Sequence, residues 1–326
     1  MTTAIAPSPN EAGPLDGALA REPAAPGGIW RDVLRNRRVL VGGGILLGIA
    51  LLCLFTLPWT FKSYAAQNGD LARLPPQLGT LSGWFGYDTL GRSLLVRSLM
   101  GGVISLAVGI AAATIAVLLG VTVGLLAGYR GGWIDSLLMR SVDVLYGLPY
   151  VLLIILFKIA FEDKLAAVIG KQGNPNAQAA SVIILFLAIG AVSWLTMARV
   201  IRGQVLSLRG QPFVEACRAM GLPGSRIFLR HILPNLVGPI TVYATLTVPS
   251  AILQESFLSF LGVGINPPLP TWGNLASEAV EQMYPRFHWW MLVFPCALLG
   301  VTLLSLNFLG DGLRDVFDPK REAAKI

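Results

Sequence analysis

Glu215, Arg218, Arg226, Arg230 and His231 crowd into one stretch, Gln211 to Asn235, set between long apolar runs. Charges of both signs on so short a segment can make ion pairs and hydrogen bonds with another protein surface. They do not form the nucleophile, base and oxyanion arrangement that bond-making chemistry needs. Phe213, Cys217 and Met220 recur at i, i+4 and i+7, the spacing of one helical face, with Glu215 and Arg218 off it. The pattern predicts a short amphipathic helix, broken by Gly221-Leu222-Pro223-Gly224 and restarted with Ser225 as its N-cap. Pro234 stands where the next apolar run begins. By composition alone the stretch reads as a solvated connector between two membrane helices.

Other chemistry is missing from the sequence. The pair Gly170-Lys171 is followed by Gln172, so there is no Gly-x-x-x-x-Gly-Lys-Ser/Thr phosphate loop, and ATP is not expected to bind this chain. His231 and His288 are the two histidines; Cys53, Cys217 and Cys296 stand at no metal-ligand or disulfide spacing. The cysteines and His231 read as structural residues, and His288 beside Trp289-Trp290 as interfacial. With no paired carboxylates and no serine elbow, the expectation is a chain that is not an enzyme and holds no metal or cofactor.

The elements that position the charged stretch follow from composition. Of 326 residues, 54% are hydrophobic and 13% charged, against roughly a quarter charged in a soluble domain. A net charge of +7 does not point to nucleic acid, because the basic residues are scattered between apolar runs with no base-reading motif. The fold class expected is all-α and integral to the membrane. Its six spans are 39–58, 102–128, 141–161, 178–198, 236–260 and 289–309, each crossing or nearly crossing a hydrocarbon core of about 30 Å. Lys and Arg are richer in 1–38, 129–140, 199–230 and the C-terminus than in 59–101, 158–177 and 261–288, which places both termini and the charged stretch in the cytoplasm. Residues 1–28 read as a disordered tail. Arg31, Arg35, Arg37 and Arg38 before the first span suit an uncleaved signal anchor better than a cleaved signal.

Three features inside the spans stand out. Gly120, Gly124 and Gly128 lie four apart, a stripe that lets helix backbones approach closely. Asp143 lies near Asp135 and Arg140 at the cytoplasmic entrance to the third span, and Arg140 is placed to pair with it at i and i+3. Glu255 is the most secluded acid. A membrane carboxylate is by default a candidate for the translocation path, either lining or bracing it and pairing with a cation of substrate or partner; the other reading is a hydrogen bond to a neighbouring helix.

Glu215-Ala216-Cys217, then Gly221, then Ile232-Leu233-Pro234 resembles the EAA motif of permease subunits in importers powered by ATP-binding cassettes. Cys217 takes the second Ala position, and His231 stands where Ile is frequent. Gly86-Tyr87-Asp88-Thr89-Leu90-Gly91-Arg92-Ser93, with Ser98 and Gly101, is similar to the entry into the second span of dipeptide and oligopeptide permeases. So are Ala251 to Gly262 with Pro267-Pro268 and Thr271-Trp272-Gly273, and the tail Leu309 to Pro319. Tyr87 stands where that family favours Thr, and Ser93 where it favours Asp. The resemblance runs from about Arg35 to Pro319 and implies a C-type permease subunit with the type I importer fold.

It further implies a homologous permease partner, two ATPase subunits carrying ATP and Mg, an external binding protein and a peptide substrate, in a bacterial inner membrane. On that reading 1–38 is tail and basic flank, 39–58 the first span and 59–101 an external loop. The permease core is 102–309, with a coupling segment at 211–234, and 310–326 is a cytoplasmic tail. Glu215, Ala216, Cys217, Arg218, Gly221, Arg226 and Pro234 are the residues implied in ATPase coupling. Nickel, glutathione or another small solute as cargo, an ion-coupled carrier, and a membrane scaffold or receptor remain the alternatives.

Overall fold

The computed structural model describes residues 26–169, 175–282 and 288–317. Most of the expected tail, Gly170-Lys171-Gln172 and residues 318–326 lie outside them. The described chain is helical, in the order α1 Pro26–Arg35, α2 Arg37–Ser63, α3 Leu94–Arg130, α4 Gly132–Tyr146, α5 Tyr150–Ile169, α6 Pro175–Arg209, α7 Pro212–Ala219, α8 Gly224–Ile227, α9 Leu233–Phe260, α10 Trp272–Glu281 and α11 Trp289–Phe317. Five helical stretches, α2, α3, α6, α8 continued into α9, and α11, are long and apolar enough to cross a membrane. The paired α4 and α5 make a sixth if counted as one span.

The third span departs from the continuous helix expected over 141–161. It breaks after Tyr146 and resumes at Tyr150 with a bend of 92°. Pro149 has no N–H to donate and its ring pushes Leu148 out of the helical region, so the ladder stops although hydropathy runs on. At the other end of the chain, α11 carries helix through the expected start of the tail, as far as Phe317.

Local signals set several ends. Ser93 caps α3 through its hydroxyl and the Val96 N–H, at 3.4 Å. Thr271 and Asn274 form a reciprocal capping box at α10. At 37 and 35 residues, α3 and α6 reach about 50 Å at ~1.5 Å per residue, so both project beyond the hydrocarbon.

These two helices form the central seam. Gly120 faces Met197 and the Trp194 carbonyl, Gly124 the Ala198 carbonyl and Ile201, and Gly128 Val205 and the Arg202 carbonyl. A Cβ on Gly124 would lie 2.6 Å from the Ala198 oxygen, closer than van der Waals contact allows. The apolar core continues outward from this seam: Ile104 and Val108 of α3 and Leu185 and Ile189 of α6 pack with Ile154 of α5 and Ala251 and Leu258 of α9. The first span, α2, joins at the side, where Gly42 lies against Ser305 and Phe308 of α11.

Gly124→Leu is expected to lower the unfolding temperature of the detergent-solubilised protein, by an overpacking cost of about 1–3 kcal/mol or more. Gly48→Leu, where no atom stands within 4 Å of the added Cβ, is expected to leave the unfolding temperature unchanged. Equal thermal shifts for the two variants would contradict the seam.

Candidate functional site

Helix α7 starts at Pro212, with Glu215 in its first turn. Its buried stripe is Val214 and Cys217, which pack with Ile201 and Val205 of α6, Ile227 of α8, and Ile232 and Leu236 on either side of the start of α9. This corrects the expected apolar face. Cys217 points inward as anticipated, but Phe213 is 39% and Met220 70% exposed. Since α7 lies on the end of α6, an i, i+3 pair is wide enough to fill the contact, and the flanking apolar residues are left outside.

The helix is closed by Gly221 at φ +74°. Its N–H donates to the Arg218 carbonyl at 2.9 Å, and the Leu222 N–H reaches back to the Cys217 carbonyl at 3.1 Å. A left-handed glycine followed by a back-reaching N–H is a favoured way to end a helix. The cap expected at Ser225 falls elsewhere: Pro223 is the N-cap of α8, and its carbonyl accepts the Arg226 N–H at 2.9 Å. A π-helical turn, Phe228–Ile232, then joins α8 to α9. Pro234, in the first turn of α9, cannot complete the α-helical ladder there.

Glu215, Ala216, Arg218, Gly221, Arg226 and Pro234 are exposed. Glu215, Arg218 and Arg226 have no ion-pair partner among the described residues. One face of α7 is therefore clamped by apolar contact, while the other offers unpaired charge beside Phe213 and Met220.

Glu255 is fully buried within the chain. Its carboxylate accepts hydrogen bonds from Ser105 of α3 at 2.9 Å, Ser259 at 2.8 Å and Ser256 at 3.3 Å. This geometry is that of a brace between α9 and α3: hydroxyls, and no cation, face the acid. The Arg140 pairing is also corrected. Asp143 pairs with Arg199 at 2.8 Å, and Asp135 with Arg202 at 2.5 Å, because α4 lies across α6 and turns its acids toward that helix. Arg199 also stacks over the Tyr146 ring at 4.4 Å.

A second polar centre lies at the N-terminal end of α3, where local motif marks only part of it. Asp88 is buried by the tight turn of 86–93, its Oδ1 accepting the Leu90 and Arg92 N–H groups at 2.9 Å each. Its Oδ2 takes Arg92 Nε at 2.6 Å and Arg97 Nη1 at 2.7 Å. Arg97, 1% exposed, also grips Glu278 of α10 at 2.5 and 2.8 Å. Asp88 and Arg92 lie in the motif of 86–93, whereas Arg97 and Glu278 lie outside it. An arginine inside the apolar start of a span was the available signal.

A bundle of apolar spans, one of them broken, with an amphipathic segment clamped to one end defines a polytopic helical membrane protein. The chain belongs to the family of binding-protein-dependent transport system inner membrane components, whose model matches residues 120–323. The model for the N-terminal TM domain of oligopeptide transport permease C matches residues 27–76. The chain is 40% identical to the oligopeptide transport system permease protein OppC of Haemophilus influenzae, over 90% of this chain and 89% of that one. It is 39% identical to the dipeptide transport system permease protein DppC of Bacillus subtilis, over 89% of this chain and 84% of that one. In fold it is similar to a chain of the inward-facing MetNI methionine ABC transporter, at a TM-score of 0.51 and 20% identity, covering 68% of this chain and 97% of the other. The protein is thus a membrane-spanning permease subunit of an ABC importer with the type I fold, and not an enzyme.

Replacing one member of a buried ion-pair network strands its partners, at a cost of about 3–5 kcal/mol. Arg97→Met is accordingly expected to reduce yield and thermal stability sharply. Arg97→Met with Glu278→Met should recover part of the loss, and a thermal shift no larger than that of an exposed Arg→Met control would contradict the network.

Proposed function

We propose that the chain forms one half of the translocation path of a dipeptide or oligopeptide importer and couples that path to ATP hydrolysis on separate subunits. It pairs with a homologous permease subunit, both rest on two ATPase subunits that carry ATP and Mg, and an external binding protein delivers the peptide. The membrane is the inner membrane of a bacterial cell, with both termini cytoplasmic. The relatives named above support the cargo class. The observation that carries the coupling role is the two-faced α7: Val214 and Cys217 fixed in the core, Glu215 and Arg218 exposed and unpaired.

In this reading the exposed face of 211–234 seats in a groove of the ATPase. Glu215 meets a cationic group there, and Arg218 and Arg226 make polar contacts at its rim. Nucleotide-driven closure of the ATPases displaces α7. Because its buried side is packed on α6 and α9, the bundle moves with it between inward and outward openings, each nucleotide state favouring one. Cys217 acts from within the segment as packing, and Pro234 interrupts the hydrogen-bond ladder in the first turn of α9. Glu255 braces α9 on α3 so that the two helices move as one body.

The test lies at Gly221. A β-branched residue in a left-handed conformation is strained by roughly 1–2 kcal/mol or more, so Gly221→Val should change how α7 is presented without disturbing the spans. The expected outcome is a complex that assembles and hydrolyses ATP but takes up labelled peptide poorly. Uptake equal to that of the unaltered complex would refute the coupling role.

A further inference from the structure

The break in the third span opens a hollow of about 330 Å³, lined among others by Tyr146, Leu148, Tyr150, Ser193, Thr196 and Gln254. A second hollow of about 420 Å³ shares Tyr150 and Gln254 with it and extends along α9 past Ser250 and Leu253. Together they form a shallow trough near the middle of α6, bounded by the bend of the third span and by α9.

Two observations say that this trough does not face lipid. Gln254 Oε1 and Ser193 Oγ are buried and have no hydrogen-bond partner among the described residues. Such atoms are costly in hydrocarbon and call for a polar ligand or water. The helix is interrupted over 147–149, and irregular backbone at membrane depth is tolerated where it lines a cavity or is covered by protein. None of the residues lining either hollow carries a charge; Arg199, which stacks over the Tyr146 ring, lies outside the lining and is paired with Asp143. The neighbouring carboxylate, Glu255, is turned away into Ser105 and Ser259.

The lining therefore combines aromatic and apolar walls with neutral groups. A glutamine amide both donates and accepts hydrogen bonds, as a peptide bond does, and a serine hydroxyl does likewise. A fixed charge would hold back peptides of opposite charge and repel those of like charge; the lining residues supply none, and Arg199 beside Tyr146 is balanced by its pair with Asp143. We propose that this trough contacts the main-chain amides of a peptide in transit, with Gln254 as its principal polar contact and with no discrimination by side-chain charge. The assignment rests on the peptide-importer reading above and goes beyond it by naming the residues that line the path.

The test uses the full complex of both permeases, ATPases and binding protein in proteoliposomes, with neutral, cationic and anionic tripeptides as probes. Gln254→Leu is expected to lower uptake of all three by about tenfold, equivalent to one good hydrogen bond, with assembly and basal ATP hydrolysis unchanged. Gln254→Lys is expected to lower uptake of the cationic peptide about tenfold more than that of the anionic one. Gln254→Cys, in a complex whose native cysteines are replaced by serine, is expected to react with a membrane-impermeant thiol reagent and to be protected by peptide. Unchanged uptake in both the Leu and Lys variants, or no labelling at position 254, overturns this site and leaves the importer reading intact. An unaltered complex that takes up no peptide of any charge, although Gln254→Cys is labelled, overturns the peptide assignment together with that reading.

Discussion

Inside a bilayer, helices gain nothing by hiding apolar surface from one another, so contact must come from close approach. The α3–α6 seam meets that constraint with Gly120, Gly124 and Gly128, each set against backbone or Cβ atoms of α6. The α6 residues opposite them, Met197, Ile201 and Val205, also belong to the cluster that holds Val214, Cys217, Ile227 and Ile232. One face of α6 thus meets the glycine stripe while the same turns support the amphipathic segment. A force applied to α7 has no soft layer to deform before it reaches the pillar of the bundle.

Polar ties occur at several heights along that pillar. At the N-terminal end of α3 the Asp88, Arg92, Arg97 and Glu278 network binds the preceding loop, α3 and α10. Further in, the Ser105 hydroxyl and the Glu255 carboxylate hold α3 to α9, and Trp272 donates its indole N–H to the Ser98 carbonyl at 3.0 Å. Near α7, Arg209 donates to the Gly128 carbonyl at 2.7 Å, satisfying the C-terminal end of α3. The two halves of the bent third span are tied to different neighbours: α4 to α6 through Asp143–Arg199 and Asp135–Arg202, and α5 elsewhere. Lys158 donates to the Val263 and Gly264 carbonyls, and Glu162 accepts from Asn266 at 3.1 Å, so the polar ties of α5 run to the loop after α9.

Much of this was legible in the sequence because hydropathy and local motif have short range. Long apolar runs mark spans whatever their neighbours, a four-residue glycine spacing marks a seam, and Gly221 between a polar helix and Pro223 marks a turn. Interactions distant in sequence were not legible. Arg140 is the obvious local partner for Asp143, yet Arg199 holds it, because only the path of α4 across α6 brings them together. Phe213 and Val214 are equally apolar to a periodicity argument, and the line of contact with α6 decides that Val214 is inside. Hydropathy averaged straight through Pro149, since a bend changes backbone geometry and leaves composition alone. Glu255 stood out as a membrane acid, but three serines, one of them 150 residues away, determine that it is enclosed.

The most direct measurement of the account is photo-crosslinking from position 213, the exposed apolar flank of α7, in membranes that contain the assembled complex. A photoreactive residue there is predicted to give an adduct with an ATPase subunit, and its yield is predicted to change between nucleotide-free and ATP-trapped states. Absence of any ATPase adduct, or reaction of position 213 only with reagents confined to the external side, would contradict it.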